Sequence, residues 1–228
     1  MKLRLEDKKR ATELRLQGRT FGEIRKIIPN LSKSTLSGWI NQVRLSKEQE
    51  RTLNENIEKA INNGRSKAAL TKRLKKQERV KKIILDSKKE CNGLINNTIF
   101  LAGIIFYWAE GNKKTEFFQF TNSDPRAVKL MMKWLTEVCG VSKDNIKIRL
   151  YIHKLYSHEN CEDFWSKIID VPKDNFQKTI YKPTIHKVKK NPEYKGCVQL
   201  RVLRRDFYWK VMGWIEGISD YYHLNLPL

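Results

Sequence analysis

Cysteine is scarce in this chain, and the four cysteines stand far apart. Cys91, Cys139, Cys161 and Cys197 show no C-x-x-C spacing. Closely spaced cysteine pairs are typical of zinc ribbons, and regularly spaced cysteines are typical of secreted proteins stapled by disulfides. We therefore expect neither class, and we expect free thiols in a reducing cytoplasm. The four histidines show no metal-ligand spacing either.

Long apolar runs are also missing. The longest strongly apolar run, from Ile99 to Ala109, has 11 residues, whereas a membrane-spanning helix needs about 20. This run is predicted to be a buried helix. The first residues of the chain are highly charged and lack the apolar block of a secretory signal. We therefore expect a cytoplasmic protein with no membrane partner.

Acidic residues are few relative to basic ones. The chain has 25 aspartates and glutamates against 46 lysines and arginines, which gives a formal net charge of +21. So basic a composition indicates a polyanionic partner, because a positive surface attracts phosphates. With 228 residues, of which 40% are hydrophobic, the chain can bury one ordinary core and a small second one.

Residues 7–44 contain three short helical patterns separated by turn residues. The first pattern ends at Gly18. The second opens with Thr20 and Glu23, the spacing of a capping box, in which each side chain bonds the other residue's backbone N–H. Ser32 is the predicted cap of the third. Three helices of this length resemble the repressor and resolvase type of helix-turn-helix.

In a helix-turn-helix the last helix lies in the major groove, with its first residues at base edges. Hydroxyls, amides and cations are the groups that such contacts require. The predicted DNA contacts are Lys33, Ser34, Ser37 and Asn41 at base edges, with Thr35 and Arg44 near the phosphates. The alternative interpretation is a solvated three-helix scaffold without a ligand.

A basic helical connector is predicted next. Ser46 and Gln49 form a second capping-box pattern, and Asn62-Asn63-Gly64 predicts a break. Residues 65–90 hold 11 lysines or arginines and 3 acids, a net charge of +8. An apolar stripe along one side favours an amphipathic helix. The connector is either a strut that contacts phosphates, with strong salt dependence, or a solvated charged helix.

From residue 96 the chain becomes more apolar, and helices alternate with strands. A helix over residues 94–110 is predicted to end at Gly111 in a left-handed cap. A strand follows over residues 117–121, and Asp124 and Pro125 begin the next helix. Further elements are predicted as helices over residues 126–139, 159–169 and 206–218 and as a strand near residues 178–182.

The clearest strand covers residues 146–153, where aliphatic and polar side chains alternate. Residues 196–203 repeat the alternation more weakly. A sheet with one apolar and one cationic face is a candidate saddle for duplex DNA. The predicted DNA contacts on these strands are Lys147, Arg149, Tyr151, Gln199 and Arg201, joined by Lys187 and Lys190 of a basic loop.

The chain is therefore predicted to be an α+β protein in three parts. An all-α helix-turn-helix occupies residues 1–45, a basic helical connector occupies residues 46–92, and an α/β domain with an antiparallel saddle sheet occupies residues 93–228.

Three segments of the last part resemble the LAGLIDADG homing-endonuclease family. They are Leu101-Ala-Gly103, Ala109-Glu110-Gly111 and the run from Phe118 to Pro125 ahead of an apolar helix. The resemblance covers roughly residues 94–218. It implies that the motif helix packs on the same helix of another repeat, and that antiparallel sheets form the DNA saddle. Because this chain has one motif, the resemblance implies a homodimer.

In this family the acid at the end of the motif helix binds Mg²⁺ together with a neighbouring main-chain carbonyl. Glu110 matches that position. Phosphodiester hydrolysis needs carboxylates to hold a divalent metal that polarises the phosphate and generates hydroxide. Glu110 is thus the predicted metal ligand and catalytic residue, and Gln119 on the next strand is predicted to position water. The other interpretation of Glu110 is an ion pair with Lys113 or Lys114.

Three functions follow as hypotheses. The first is a site-specific, Mg²⁺-dependent DNA endonuclease that acts as a homodimer. The second is a DNA-binding transcription regulator that retains the LAGLIDADG fold without cleavage. The third is an RNA-binding maturase, because the same basic surface would accept folded RNA. Double-stranded DNA is the predicted partner in the first two.

Overall fold

The computed structural model describes residues 4–157, 160–183 and 193–224. The chain divides into two compact units, Met1–Lys76 and Gln77–Leu228. It is a mixed α+β protein, as predicted. None of the helices in the described ranges is long and apolar enough to cross a membrane.

The first unit begins with three short helices, α1 (Leu5–Leu16), α2 (Phe21–Ile27) and α3 (Lys33–Ile40). They lie where the sequence predicts helices, and they share a small apolar core made of Ala11, Ile24, Ile28, Leu31, Leu36 and Ile40. Each helix is too short to be stable alone. Burial of this shared core therefore stabilises all three.

Side-chain caps explain where α2 and α3 start. The Thr20 hydroxyl accepts a hydrogen bond from the Glu23 N–H at 3.3 Å, and the Glu23 carboxylate accepts one from the Thr20 N–H at 2.8 Å. The predicted capping box is therefore confirmed. Ser32 Oγ accepts a hydrogen bond from the Thr35 N–H at 3.0 Å. Gly18, with a φ of 76°, makes the left-handed turn that follows α1.

α4 runs without interruption from Lys47 to Leu94. The predicted capping box before it is present, because Ser46 Oγ accepts from the Gln49 N–H at 3.2 Å and Gln49 Oε1 accepts from the Ser46 N–H at 2.9 Å. The predicted break at Asn62-Asn63-Gly64 is wrong. Even glycine costs a helix only about 1 kcal/mol relative to alanine, and strong helix formers on both sides offset that cost.

In the described residues, the second unit contains the last part of α4, four further α-helices and one sheet. The helices are α5 (Thr98–Glu110), α6 (Pro125–Lys133), α7 (Cys161–Ile169) and α8 (Arg205–Tyr221). The strands are β1 (Phe118–Asn122), β2 (Ile146–His153), β3 (Phe176–Lys182) and β4 (Cys197–Val202), in the sheet order β1-β4-β2-β3. A π-helical turn, Trp134–Val138, extends α6.

The sheet is mixed, so the predicted antiparallel sheet is wrong for one pair of strands. β4 pairs antiparallel with β1 and with β2, but β3 pairs parallel with β2. The cause is the crossover that contains α7, which carries the chain back to the end of the sheet where β2 began.

One apolar core fills the second unit between the sheet and its helices. The inward residues of β2 are the predicted ones, and all are buried. Phe207 of α8 packs on Phe118 of β1 with ring centroids 5.5 Å apart, and Trp214 lies edge-on to Phe100 of α5 at 5.4 Å. α8 therefore covers the apolar side of the sheet.

The two ends of α5 differ from the prediction in detail. The helix begins at Thr98 because Asn97 Oδ1 accepts a hydrogen bond from the Phe100 N–H at 2.9 Å. Its last residue is Glu110, as predicted, but Gly111 has a φ of −72°, so the predicted left-handed cap is wrong. Gly111 is needed for space instead, because a Cβ there would lie 2.4 Å from the ring of Tyr107.

Candidate nucleic-acid interface

The first candidate surface is the outer face of α3 in the first unit. Leu36 and Ile40 point into the small core. The predicted contact residues Lys33, Ser34, Thr35, Asn41 and Arg44 are exposed, and Ser37 is half-buried. The structure therefore leaves all six predicted residues at least partly accessible to a ligand.

Local hydrogen bonds organise this face. Ser32 Oγ lies 2.9 Å from the Ser34 hydroxyl and 2.8 Å from the Thr35 hydroxyl. Asn41 Nδ2 donates to Ser37 Oγ at 3.0 Å. Asn41 retains its amide oxygen and its second amide hydrogen for other partners. It can therefore still bond a base edge.

The second candidate surface is the side of the sheet turned away from the core, here called the polar sheet face. Strand pairing places Gln119, Arg201 and Lys147 in one row across β1, β4 and β2. The next row crosses all four strands and consists of Thr121, Gln199, Arg149 and Gln177. Tyr151 and His153 continue along β2, and Lys182 of β3 lies opposite His153.

The charges on the polar sheet face have one sign. Its four cations are Lys147, Arg149, Arg201 and Lys182, and none of its described strand positions holds an aspartate or glutamate. Lys182 Nζ lies 5.1 Å from the centre of the Tyr151 ring. A cationic surface attracts phosphates, and arginine and glutamine side chains can bond base edges.

Hydrogen bonds join the rows of this face. The Tyr151 hydroxyl donates to Gln199 Oε1 at 3.3 Å, and Gln199 Nε2 donates to Thr121 Oγ1 at 3.3 Å. With its amide oxygen turned toward β4, Gln119 accepts from Arg201 Nε at 2.9 Å. These contacts orient the side chains before any ligand arrives.

Two polar side-chain atoms of the polar sheet face are buried without a hydrogen bond in the described structure. Arg149 Nε and Gln177 Oε1 are buried, and neither has a hydrogen-bond partner among the residues that the structure describes. They belong to register partners on β2 and β3. An unpaired buried donor and an unpaired buried acceptor are costly, so a bound ligand or water that paired them would be stabilised.

The third candidate is Glu110 at the end of α5. Its side chain is exposed and has no hydrogen-bond or ion-pair partner within the described ranges. Lys113 Nζ donates instead to the main-chain oxygen of Trp108 at 2.7 Å. The predicted alternative, an ion pair with Lys113 or Lys114, is therefore absent from this part of the chain.

The turn after Glu110 is tied to the polar sheet face. The N–H of Asn112 donates to the main-chain oxygen of Gln119 at 2.9 Å. The Tyr107 hydroxyl donates to the main-chain oxygen of Asn112 at 2.8 Å. Burial raises the pKa of Tyr107 well above its usual range, so this hydroxyl keeps its proton. Glu110 therefore lies two residues before a turn fixed to the Gln119 end of the polar sheet face.

Glu110 does not belong to a cluster of metal-ligating side chains in the described part of the chain. No group of three or more histidine, cysteine, aspartate or glutamate residues within the described ranges is placed to hold an ion. Mg²⁺ binds through carboxylate, carbonyl and water oxygens, and Glu110 provides one exposed carboxylate. A second subunit would double that contribution.

The outward side of α5, here called the α5 outer face, is apolar. Ala102, Ile105 and Ala109 are exposed, and Ile105 keeps 49% of its surface accessible. Together with Phe106 and Leu130 they line an open groove beside α6. Their spacing places them along one side of the helix, and the two alanines would let another helix approach closely.

Sequence reasoning missed three residues of the polar sheet face, Thr121, Gln177 and Lys182. The alternation of β1 could have identified Thr121, which follows the buried Phe118 and Phe120. β3 gives no such signal, because a register shift inserts one extra residue opposite the Arg149–Tyr151 step. Gln177 and Lys182 consequently share a face despite their odd spacing.

The predicted residues Lys187 and Lys190 lie outside the described residues. Comparison of the chain with protein-family models, with curated proteins and with solved structures gave no match. Function is therefore inferred from the geometry of the three surfaces.

Proposed function

We propose that this protein binds double-stranded DNA through α3 and the polar sheet face, and that it cleaves the DNA as a homodimer with one Glu110 from each subunit. The observation that carries the proposal is the composition of the polar sheet face. Across four paired strands it presents four cations and three glutamines and no acid. A surface that contacts only water can carry carboxylates, whereas a surface that binds phosphates is weakened by them.

The polar sheet face offers both kinds of contact that duplex recognition uses. Lys147, Arg201 and Lys182 supply charge for phosphates, and these contacts set position and affinity. Arg149, Gln177 and Gln199 supply groups that can bond guanine or adenine edges in the major groove. Arg149 and Gln177 are register partners on β2 and β3.

The outer face of α3 supports a second, separate contact. Its first residues offer hydroxyls and a cation, and Asn41 offers an amide. In a helix-turn-helix such groups enter the major groove. We assign base contacts to Lys33, Ser34, Ser37 and Asn41 and phosphate contacts to Thr35 and Arg44.

Cleavage is supported by Glu110. Its carboxylate is exposed and has no cation partner among the described residues, so it is available to bind a metal. Mg²⁺, when bound, would polarise the phosphate and generate hydroxide. Gln119, fixed beside the same turn, would orient the attacking water. The resemblance to LAGLIDADG homing endonucleases implies the same assignment.

A homodimer is supported by the α5 outer face. Two copies that met along Ala102, Ile105 and Ala109 would bury an apolar stripe and would bring the ends of both α5 helices together. Each end carries Glu110. The pair of carboxylates would then supply the ligands that one subunit lacks.

A DNA-binding regulator without cleavage is the second candidate function, and Lys113 favours it. Its ammonium group donates a hydrogen bond to the main-chain oxygen of Trp108, which lies in the last turn of α5 beside Glu110. A divalent ion bound close to Glu110 would meet a like charge there, which disfavours binding.

Incubation with a randomised duplex library tests both functions. The wild-type protein, Glu110→Gln and Glu216→Gln are each incubated with the library, with Mg²⁺ or with EDTA, and bound and cleaved molecules are sequenced. Glu216 is the matched control, because it is another exposed helix glutamate. We expect Mg²⁺-dependent ends from wild type and Glu216→Gln, and bound but intact DNA from Glu110→Gln.

Other outcomes separate the hypotheses. Enriched binding with no ends from any of the three proteins would establish the regulator and reject cleavage. No enrichment of any duplex would reject DNA binding itself. Enrichment of folded RNA in a parallel RNA library, without duplex enrichment, would favour the maturase hypothesis.

A further inference from the structure

We infer that residues 59–76 of α4, here called the basic segment, form a third DNA-contacting surface that grips phosphates along the duplex and becomes more ordered when it does so. This inference rests on the proposed DNA binding and adds to it a surface outside α3 and the polar sheet face. The whole segment belongs to the first unit.

Every residue of the basic segment is exposed. Even its aliphatic side chains remain open to solvent: 48% of the surface of Ile61, 56% of Leu70 and 51% of Leu74. Helices in proteins obtain most of their stability from packing an apolar face. The basic segment obtains none of that packing, so its helix depends on local interactions alone.

The interactions between the charges of the segment itself are unfavourable because these charges have one sign. The basic segment holds seven cations and no acid; the cations are Lys59, Arg65, Lys67, Lys72, Arg73, Lys75 and Lys76. Lys72 precedes Lys75 by three residues and Lys76 by four, the spacings at which like charges destabilise a helix. By contrast, α4 has an i,i+4 ion pair outside the segment, between Arg51 and Glu55 at 3.3 Å.

Most of the cations also lie on one side of the helix, and Leu70 and Leu74 lie on the opposite side. At about 100° per residue, five of the seven cations fall within about 80° of the direction of Arg65, namely Arg65, Lys72, Arg73, Lys75 and Lys76. At about 1.5 Å per residue the segment is roughly 27 Å long. Phosphates of one DNA strand follow each other about every 3.4 Å along the axis, so the segment is long enough to pass several of them.

The composition of the basic segment selects the duplex backbone over other polyanions. It contains no phenylalanine, tyrosine or tryptophan, so it has no ring on which single-stranded bases could stack. Helices that lie on membranes carry a broad apolar face with aromatic or many leucine side chains. The remaining feature is positive charge along a helix, which fits phosphates held at fixed positions by a duplex.

Salt dependence of duplex binding tests the surface. A triple variant, Arg65→Gln/Lys72→Gln/Lys75→Gln, is compared with Lys129→Gln/Lys133→Gln/Lys167→Gln, which removes the same charge from exposed positions on α6 and α7. Each neutralised phosphate contributes about 0.9 to the slope of log affinity against log salt concentration. The first variant should therefore lose about 2.7 from the slope, and the control should keep the wild-type slope.

Hydrogen exchange in the wild-type protein tests the ordering independently of any variant. Amides of residues 59–76 should exchange quickly in the free protein and several-fold more slowly with a saturating non-specific duplex. Equal salt slopes for the two variants, together with unchanged exchange of residues 59–76 on duplex binding, would overturn the inference. If the wild-type protein still binds the duplex, that result leaves the proposed function intact. Absence of wild-type duplex binding would instead reject the proposed function, and this inference with it.

Discussion

The indole of Trp134 fills the space in front of Gly103, where an added Cβ would lie 2.1 Å from Trp134 Cγ. Both residues are buried. The glycine of the Leu101-Ala-Gly103 segment therefore packs within the core of the second unit. Ala102, Ile105 and Ala109 of the α5 outer face remain exposed.

Replacement of Gly103 by alanine should destabilise the second unit. Because the indole sits in a packed core, it has to move or distort, and overpacking of this kind costs about 1–3 kcal/mol or more. Gly64→Ala is the matched control, because nothing lies within 4 Å of a Cβ at Gly64. It should stabilise α4 by up to about 1 kcal/mol. Chemical denaturation followed by tryptophan fluorescence and circular dichroism measures both changes, and equal stability of the two variants would contradict the packing.

The capping box of α2 should make the stability of the first unit depend on pH. The Thr20 N–H, which donates to the carboxylate, is the main cause that lowers the pKa of Glu23 below its ordinary value. Since the pKa in the folded state lies below that in the unfolded state, this stabilisation is present above the unfolded value of about 4.3. It is lost as the pH falls through the folded pKa.

In Glu23→Gln, the stability of the first unit should therefore decrease less as the pH is lowered than it does in the wild type. Glutamine can still accept from the Thr20 N–H, so the variant should fold at neutral pH. Glu13→Gln, at an exposed position of α1, is the control and should keep the wild-type pH dependence. Hydrogen exchange of the α1–α3 amides at several acidic pH values measures the pH dependence of this stability. Identical curves for wild type and Glu23→Gln would show that the cap does not contribute.

Local signals in the sequence predicted the elements, and long-range pairing decided how they combine. The alternation through Ile146–His153 predicted β2 and its outward residues because each side chain follows the two-residue period. The Thr20 and Ser32 caps act within three residues, so they too are readable from the sequence. The parallel pairing of β3 depends on where the α7 crossover returns the chain, and its extra residue depends on the contact with β2. Neither leaves a local pattern.

Removal of two cations from one row of the polar sheet face should weaken binding to every duplex. Lys147 and Arg201 are register partners on β2 and β4, so Lys147→Gln/Arg201→Gln should lower the salt slope by about 1.8, or about 0.9 per phosphate contact. Lys129→Gln/Lys133→Gln on α6 is the control of equal charge. Fluorescence anisotropy over a range of salt concentrations measures the slopes. A loss confined to one DNA sequence would contradict the assignment of both residues to phosphates.

Changes on the outer face of α3 should alter selectivity more than affinity. Asn41→Ala removes an amide that can bond an adenine edge, and Ser34→Ala removes a hydroxyl at the start of the helix, each at an exposed position. One lost base contact costs about 1–3 kcal/mol against the preferred base, so the preference at one or two positions should relax by roughly tenfold or more. Lys8→Ala on α1, exposed and away from α3, is the control and should leave the preference unchanged. Sequencing of library molecules bound by each variant measures the change. If Asn41→Ala and Ser34→Ala select the same sequences as wild type, α3 contacts only the backbone, and selectivity must come from Arg149, Gln177 and Gln199 of the polar sheet face.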